Sequence, residues 1–104
     1  MYLAMNRFRV IDGNEADFEE VWRTRERRLH EMKGYVSFDL LRGPKADGHT
    51  LYASHTVWNC HADFEDWTKS EQFRAAHAGA GSGKKLTTGH PVFEGFESVD
   101  LTPR

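Results

Sequence analysis

The sequence of 104 residues has a single cysteine, Cys60. No disulfide can therefore form within the chain, and a reducing, cytoplasmic setting is expected. No apolar run approaches the roughly 20 residues that a membrane-spanning helix needs. The stretch Met1-Tyr2-Leu3-Ala4-Met5-Asn6-Arg7 lacks a basic region followed by a long apolar core, so no secretory leader is expected. Charge of one sign is missing too. The 14 Lys and Arg interleave with 16 Asp and Glu for a net charge of -2, which leaves no footprint for nucleic acid. The densest basic cluster, Arg23-Thr24-Arg25-Glu26-Arg27-Arg28, falls inside a helical pattern and fits a solvated face, an arginine meeting an anionic ligand being the alternative. No Gly-x-Gly-x-x-Gly follows a strand, and no His-Glu-x-x-His or Cys/His cluster is present. Neither a dinucleotide site nor a closed zinc site is indicated.

What remains is a composition of 29% charged and 38% hydrophobic residues, that of one soluble domain with a modest core. Tyr2 to Ile11 alternates as a strand, and its even positions Tyr2, Ala4, Asn6, Phe8 and Val10 are apolar except for Asn6. Asp12-Gly13 marks a turn and Asn14 a helix N-cap. Phe18, Val21, Trp22, Arg25, Leu29 and Met32 then recur at helical spacing, which predicts a helix of about four to five turns ending at Gly34. Tyr35 to Arg42 reads as a second strand with Val36, Phe38 and Leu40 on one face. Gly43 to Gly48 reads as a turn and Leu51 to Trp58 as a third strand. Asn59 or Cys60 opens a short helix carrying Phe64 and Trp67, and Ser70 caps another carrying Phe73, Ala76 and His77. Gly79, Gly81, Gly83 and Gly89 loosen the next stretch, and Val92 to Leu101 is the last strand.

The order is β-α-β-β-α-β, an α+β ferredoxin-like unit with a four-stranded antiparallel sheet and helices on one face, in one domain spanning residues 1–104. The sheet's other face is then bare. Tyr52, Ser54, Thr56 and Trp58 share a face of the third strand and are assigned to that side, with Tyr35 and Leu41 from the second. Large aromatics there suit a subunit interface, so a homodimer with its two sheets face to face is expected.

Three residues do not fit a plain core. An amide at a strand centre is disfavoured. Asn6 either bonds local backbone or points at something that needs a donor, because a buried amide without partners is costly. His77 shares a helix face with Phe73. A single histidine is most often structural, and it can also be the one axial ligand of a haem iron. Trp67 beside Phe64 is ordinarily a core anchor.

Together these residues carry a family resemblance that covers nearly the whole chain. Asn6 lies in the first strand, Gly34-Tyr35 starts the second, and Thr56-Val57-Trp58 closes the third. Phe64, Trp67, Ser70 and Phe73 follow at three-residue spacing, with His77 four further on. In these positions the chain resembles the IsdG-type haem-degrading monooxygenases, a branch of the antibiotic-biosynthesis-monooxygenase-like superfamily of dimeric α/β barrels. The Trp-to-His stretch is common to the superfamily, and Asn6 together with Trp67 and His77 marks the haem-degrading branch. The resemblance implies oxygen-dependent opening of the porphyrin ring, with release of iron and a linear tetrapyrrole for use of haem iron. Haem would be both substrate and cofactor, and dioxygen and a separate electron-donating reductase would be required. His77 would be the axial iron ligand, Asn6 the distal hydrogen-bond donor to dioxygen, and Trp67 the ring that bends the macrocycle, with Phe73 completing the haem contacts. The glycine-rich stretch from Ala78 to His90 would cover the haem, where Lys84 and Lys85 could meet the propionates, or it is simply a solvated loop. Two other functions stay open. One is a cofactor-free monooxygenase of the same superfamily that oxidises a polyphenol to a quinone, and the other is a non-catalytic haem carrier.

Overall fold

The computed structural model describes residues 1–25, 28–77 and 85–103, with His77 described by its backbone alone. The elements are β1 (Tyr2–Ile11), α1 (Glu15–Thr24), a 3-10 turn at Leu29–Glu31, β2 (Tyr35–Ala46), β3 (His49–Trp58), α2 (His61–Thr68), α3 (Glu71–His77) and β4 (Val92–Glu97). The four strands form one antiparallel sheet in the order β2-β3-β1-β4. This is the expected ferredoxin-like arrangement, with β1 at the centre against both β3 and β4.

Several boundaries differ from expectation, each for a physical reason. The first helix stops at Thr24, because Arg25 is extended and Arg28 is left-handed. The helical spacing of Leu29 and Met32 is met instead by the 3-10 turn, which still buries Leu29 in the core. Asn14 stands at the N-cap but makes no capping bond with its side chain. Its amide reaches the Lys85 carbonyl at 3.5 Å, while the Glu15 carboxylate accepts the Gly13 N–H at 2.9 Å. Gly34 ends no α-helix. With φ +83 it turns the chain into β2, and a Cβ there would collide with the Asp63 side chain. β2 runs on through Gly43 and Pro44 to a two-residue turn at Asp47-Gly48. Pro44 is tolerated because β2 is an edge strand and the register shifts between Arg42 and Lys45. β4 ends at Glu97 because its partner β1 begins at Tyr2, opposite it.

The largest correction concerns the two faces of the sheet. Tyr2 pairs with Trp58, Ala4 with Thr56, Asn6 with Ser54 and Phe8 with Tyr52. Directly paired residues share a face, so Tyr52, Ser54, Thr56 and Trp58 lie under the helices and not on the bare side. Tyr52 and Trp58 are fully buried there. Tyr35 joins them and packs on Trp58, and a bulge between Tyr35 and Ser37 sets Val36 apart from Phe38 and Leu40. Alternation alone could not phase β3, because both of its faces mix apolar and polar residues. The face without helices mixes Leu3, Met5, Leu51, Val57, Val92 and Phe96 with Arg9, Asp39, His49, His55 and an Arg7–Glu94 ion pair.

On the helix side the core divides in two. One cluster joins Tyr2, Ala4, Leu29, Trp58, Trp67 and Ala76, with Phe64 and Phe73 packed against it. The other joins Val10, Phe18 and Tyr52, with Phe8, Trp22, Leu40 and Leu86.

Candidate functional site

Asn6 sits between the two clusters. Along the even face of β1, Ala4 belongs to the first cluster and Phe8 packs on the second. Its neighbours across the sheet are Ser54 on β3, which is buried, and Phe93 on β4, which is half-exposed. Asn6 is itself only partly buried, and among the described residues its amide has no hydrogen-bond partner. Asn6 and Ser54, with Thr56 beside them, thus put small polar groups between the two aromatic clusters.

Helices α2 and α3 bring the other residues to this end of the sheet. Ser70 fixes the corner between them: its hydroxyl donates to the Trp67 carbonyl at 2.7 Å and accepts the Phe73 N–H at 3.0 Å. The expected cap is therefore present. The corner holds Trp67 and Phe73 edge to face at 5.4 Å, with Trp58 on Trp67 at 6.2 Å. Trp67 is 8% exposed, so its ring is held rigidly rather than hanging in solvent. α3 then runs through buried Ala76 to His77, its last residue. Ala4, Trp67 and Ala76 share one cluster, so the strand that carries Asn6 and the helix that ends in His77 both contribute to the packing that holds Trp67. Lys84 and the stretch 78–84 lie outside the described residues. Lys85 is exposed.

Among the described residues, one buried side-chain polar atom of this cluster has no partner. The indole N–H of Trp58 is fully buried and makes no hydrogen bond among the described residues, at a cost of about 1–3 kcal/mol. Beside the second cluster the charges are satisfied. The Tyr52 hydroxyl donates to the Glu19 carboxylate at 2.6 Å, and Arg23 and Arg42 approach the same carboxylate at 3.2 and 3.4 Å. The Tyr52 hydrogen bond, helped by the arginines, lowers the Glu19 pKa, and burial, then Glu19, raises that of Tyr52. Two open depressions are lined by other residues: one of about 540 Å³ by Glu19, Trp22, Phe38, Arg42 and Tyr52 among others, and one of about 320 Å³ by Arg25, Arg28, Leu29, His30 and Tyr35. Neither reaches Asn6 or Trp67. No group of three His, Cys, Asp or Glu that could cage a metal ion occurs among the described residues. A haem iron asks for less, a single axial side chain.

The profile of the antibiotic biosynthesis monooxygenase family matches residues 1–79. The chain belongs to that family. A haem-degrading monooxygenase of Shouchella clausii is 31% identical over 65 residues, 62% of this chain and 61% of that protein. The match thus spans less than two thirds of that relative's length. The fold of this family member superposes on MhuD from Mycobacterium tuberculosis, a haem degrader solved with two haems in its active site, with TM-score 0.75 and 25% identity over 99% of this chain and 100% of the other. It also superposes on SnoaB from Streptomyces nogalater, a cofactor-independent oxygenase, with TM-score 0.63 and 23% identity over 99% and 97% of the two chains. That second resemblance is one of fold.

Reading the sequence alone missed Ser54 and Phe93. Ser54 was placed on the wrong face of its strand. The alternation of β4 puts Phe93, Gly95 and Glu97 on one side and Val92, Glu94 and Phe96 on the other, but nothing in the sequence says which side meets Asn6.

Proposed function

We propose that the chain cleaves the porphyrin ring of haem in an oxygen-dependent reaction that releases iron and a linear tetrapyrrole, biliverdin or a related bilin. The observation that carries this reading is the Asn6 amide, which has no partner among the described residues and is set in a polar gap between two aromatic clusters, beside the cluster that holds Trp67. The relatives named haem-degrading and the haem-bound MhuD support it. The residues present fit a flat apolar substrate that needs one ligand and one hydrogen bond. Aromatic rings supply most of the contact area, and Asn6 is the amide donor that does not titrate near neutral pH.

Haem supplies both the ring that is broken and the iron at which dioxygen is activated. The chain holds and orients it. His77 would hold the iron through a neutral imidazole nitrogen. Asn6 would donate an N–H to dioxygen. Trp67, backed by Trp58 and Phe73, would present a firmly packed ring to the macrocycle. Electrons come from a separate reductase. The molecule works as a homodimer closed over the helix-free face, which a second copy buries.

Titration of the protein with haem tests the reading. A Soret band that saturates near one haem per site is expected, and no band overturns it. His77→Ala should abolish turnover, and unchanged turnover would show that the ligand is another residue. Asn6→Ala should keep most haem binding and stop degradation. Stable haem in the wild-type protein under reductant and air would favour a carrier. A protein that oxidises a polyphenol without haem would belong with the cofactor-free members of the family.

A further inference from the structure

Phe93 was given no role by the sequence, and its surroundings are unusual for an aromatic residue on the helix side of a sheet. Its Cα is paired with that of Asn6. Its ring stacks on Phe64 at 5.6 Å with planes 7° apart, so one face is taken. Next along the same side comes Gly95, where a Cβ would meet the Phe93 ring edge at 3.4 Å and would collide with Tyr2. The ring is thus positioned from behind by Phe64 and from below by a residue that has no side chain. It nevertheless remains 49% exposed. Val92 and Phe96 are exposed as well, but they point to the helix-free face, which a second copy would cover. A dimer closed over that face leaves Phe93 bare.

We infer that Phe93 is a specificity-determining residue of the substrate site, a pre-set stacking wall for a planar, conjugated macrocycle lying beside Asn6. The inference rests on the haem reading above and adds a contact to it. A rigid ring with one face already packed loses little freedom on binding. An offset stack on its uncovered side removes from water apolar area that the fold leaves exposed. Stacking requires no iron, so the contact should serve the metal-free porphyrin equally.

The test is titration of wild type, Phe93→Leu and Phe93→Trp with ferric haem and, separately, with metal-free protoporphyrin IX, followed by the Soret band or by fluorescence quenching without reductant. Leu keeps apolar bulk without a ring and should weaken both ligands about tenfold. Trp should restore both. Because Phe93 is half-exposed, thermal midpoint and molecular mass should stay at wild-type values. If wild type binds neither ligand, the haem reading fails and this inference with it. If wild type binds and Phe93→Leu binds equally well, the haem reading stands and this inference is wrong. It is also wrong if the variant loses haem alone and not the metal-free porphyrin, or if its mass changes instead, which would mean that a second copy covers Phe93.

Discussion

At the scale of single residues, the sequence singled out Asn6 because an amide interrupts an apolar alternation. The structure adds its setting, between two clusters and opposite Ser54 and Phe93. That setting depends on strand register, which no local pattern contains. Gly34 shows the same limit. The sequence marks a break there, but only the fold shows that Asp63 fills the space of a side chain. Gly34→Ala is expected to cost about 1–3 kcal/mol, from positive φ and from the collision, as a lower urea midpoint. Tyr52→Phe removes the 2.6 Å bond to Glu19 and should cost about 1 kcal/mol. It should also change the pH dependence of stability. The folded pKa of Glu19 lies below its ordinary 4.5, and the Tyr52 bond is the leading cause. The stability this contributes is present above 4.5 and is lost as pH falls through the lower folded value. Thermal midpoints at pH 7 and pH 3 should therefore differ less in Tyr52→Phe than in wild type. An equal difference would contradict this account of the bond.

At the scale of elements, strong local signals were legible. β1 shows in its alternation, and the α3 cap shows in Ser70 followed three residues on by Phe73. The length of α1 did not show, because a 3-10 turn places Leu29 in the core as well as a continuous helix would. The facing of β3 did not show either, for want of contrast between its two sides. Ser70→Ala removes the hydroxyl that locks Trp67 to Phe73. A loss of about 0.5–2 kcal/mol is expected, read as a lower thermal midpoint. Since α3 ends in His77, haem affinity should fall with it. A lowered midpoint with unchanged haem affinity would separate α3 from the site.

At the scale of the whole molecule, fold class and family were legible, and Trp67 lies in the cluster at one end of the helix side while Asn6 borders it from β1. The dimer was expected on the strength of the wrong residues. The face that is bare carries Leu3, Met5, Val57 and Phe96 among charged residues, and it is the face a second copy would cover. Phe96 is 49% exposed and points away from the core, so Phe96→Asp should fold. It should halve the mass in light scattering to that of the 12.0 kDa chain, whereas Phe93→Leu on the opposite face should leave the mass unchanged. A wild-type mass near 12.0 kDa at micromolar concentration would remove the dimer from the account.

The central claim, that this family member breaks the haem ring, is tested most directly by loading the protein with haem, adding a reductant in air and following three signals together. The account predicts loss of the Soret band, capture of ferrous iron by a chelator in matching amount, and an open-chain tetrapyrrole in the mass spectrum. A Soret band that persists, with intact haem recovered, would contradict it.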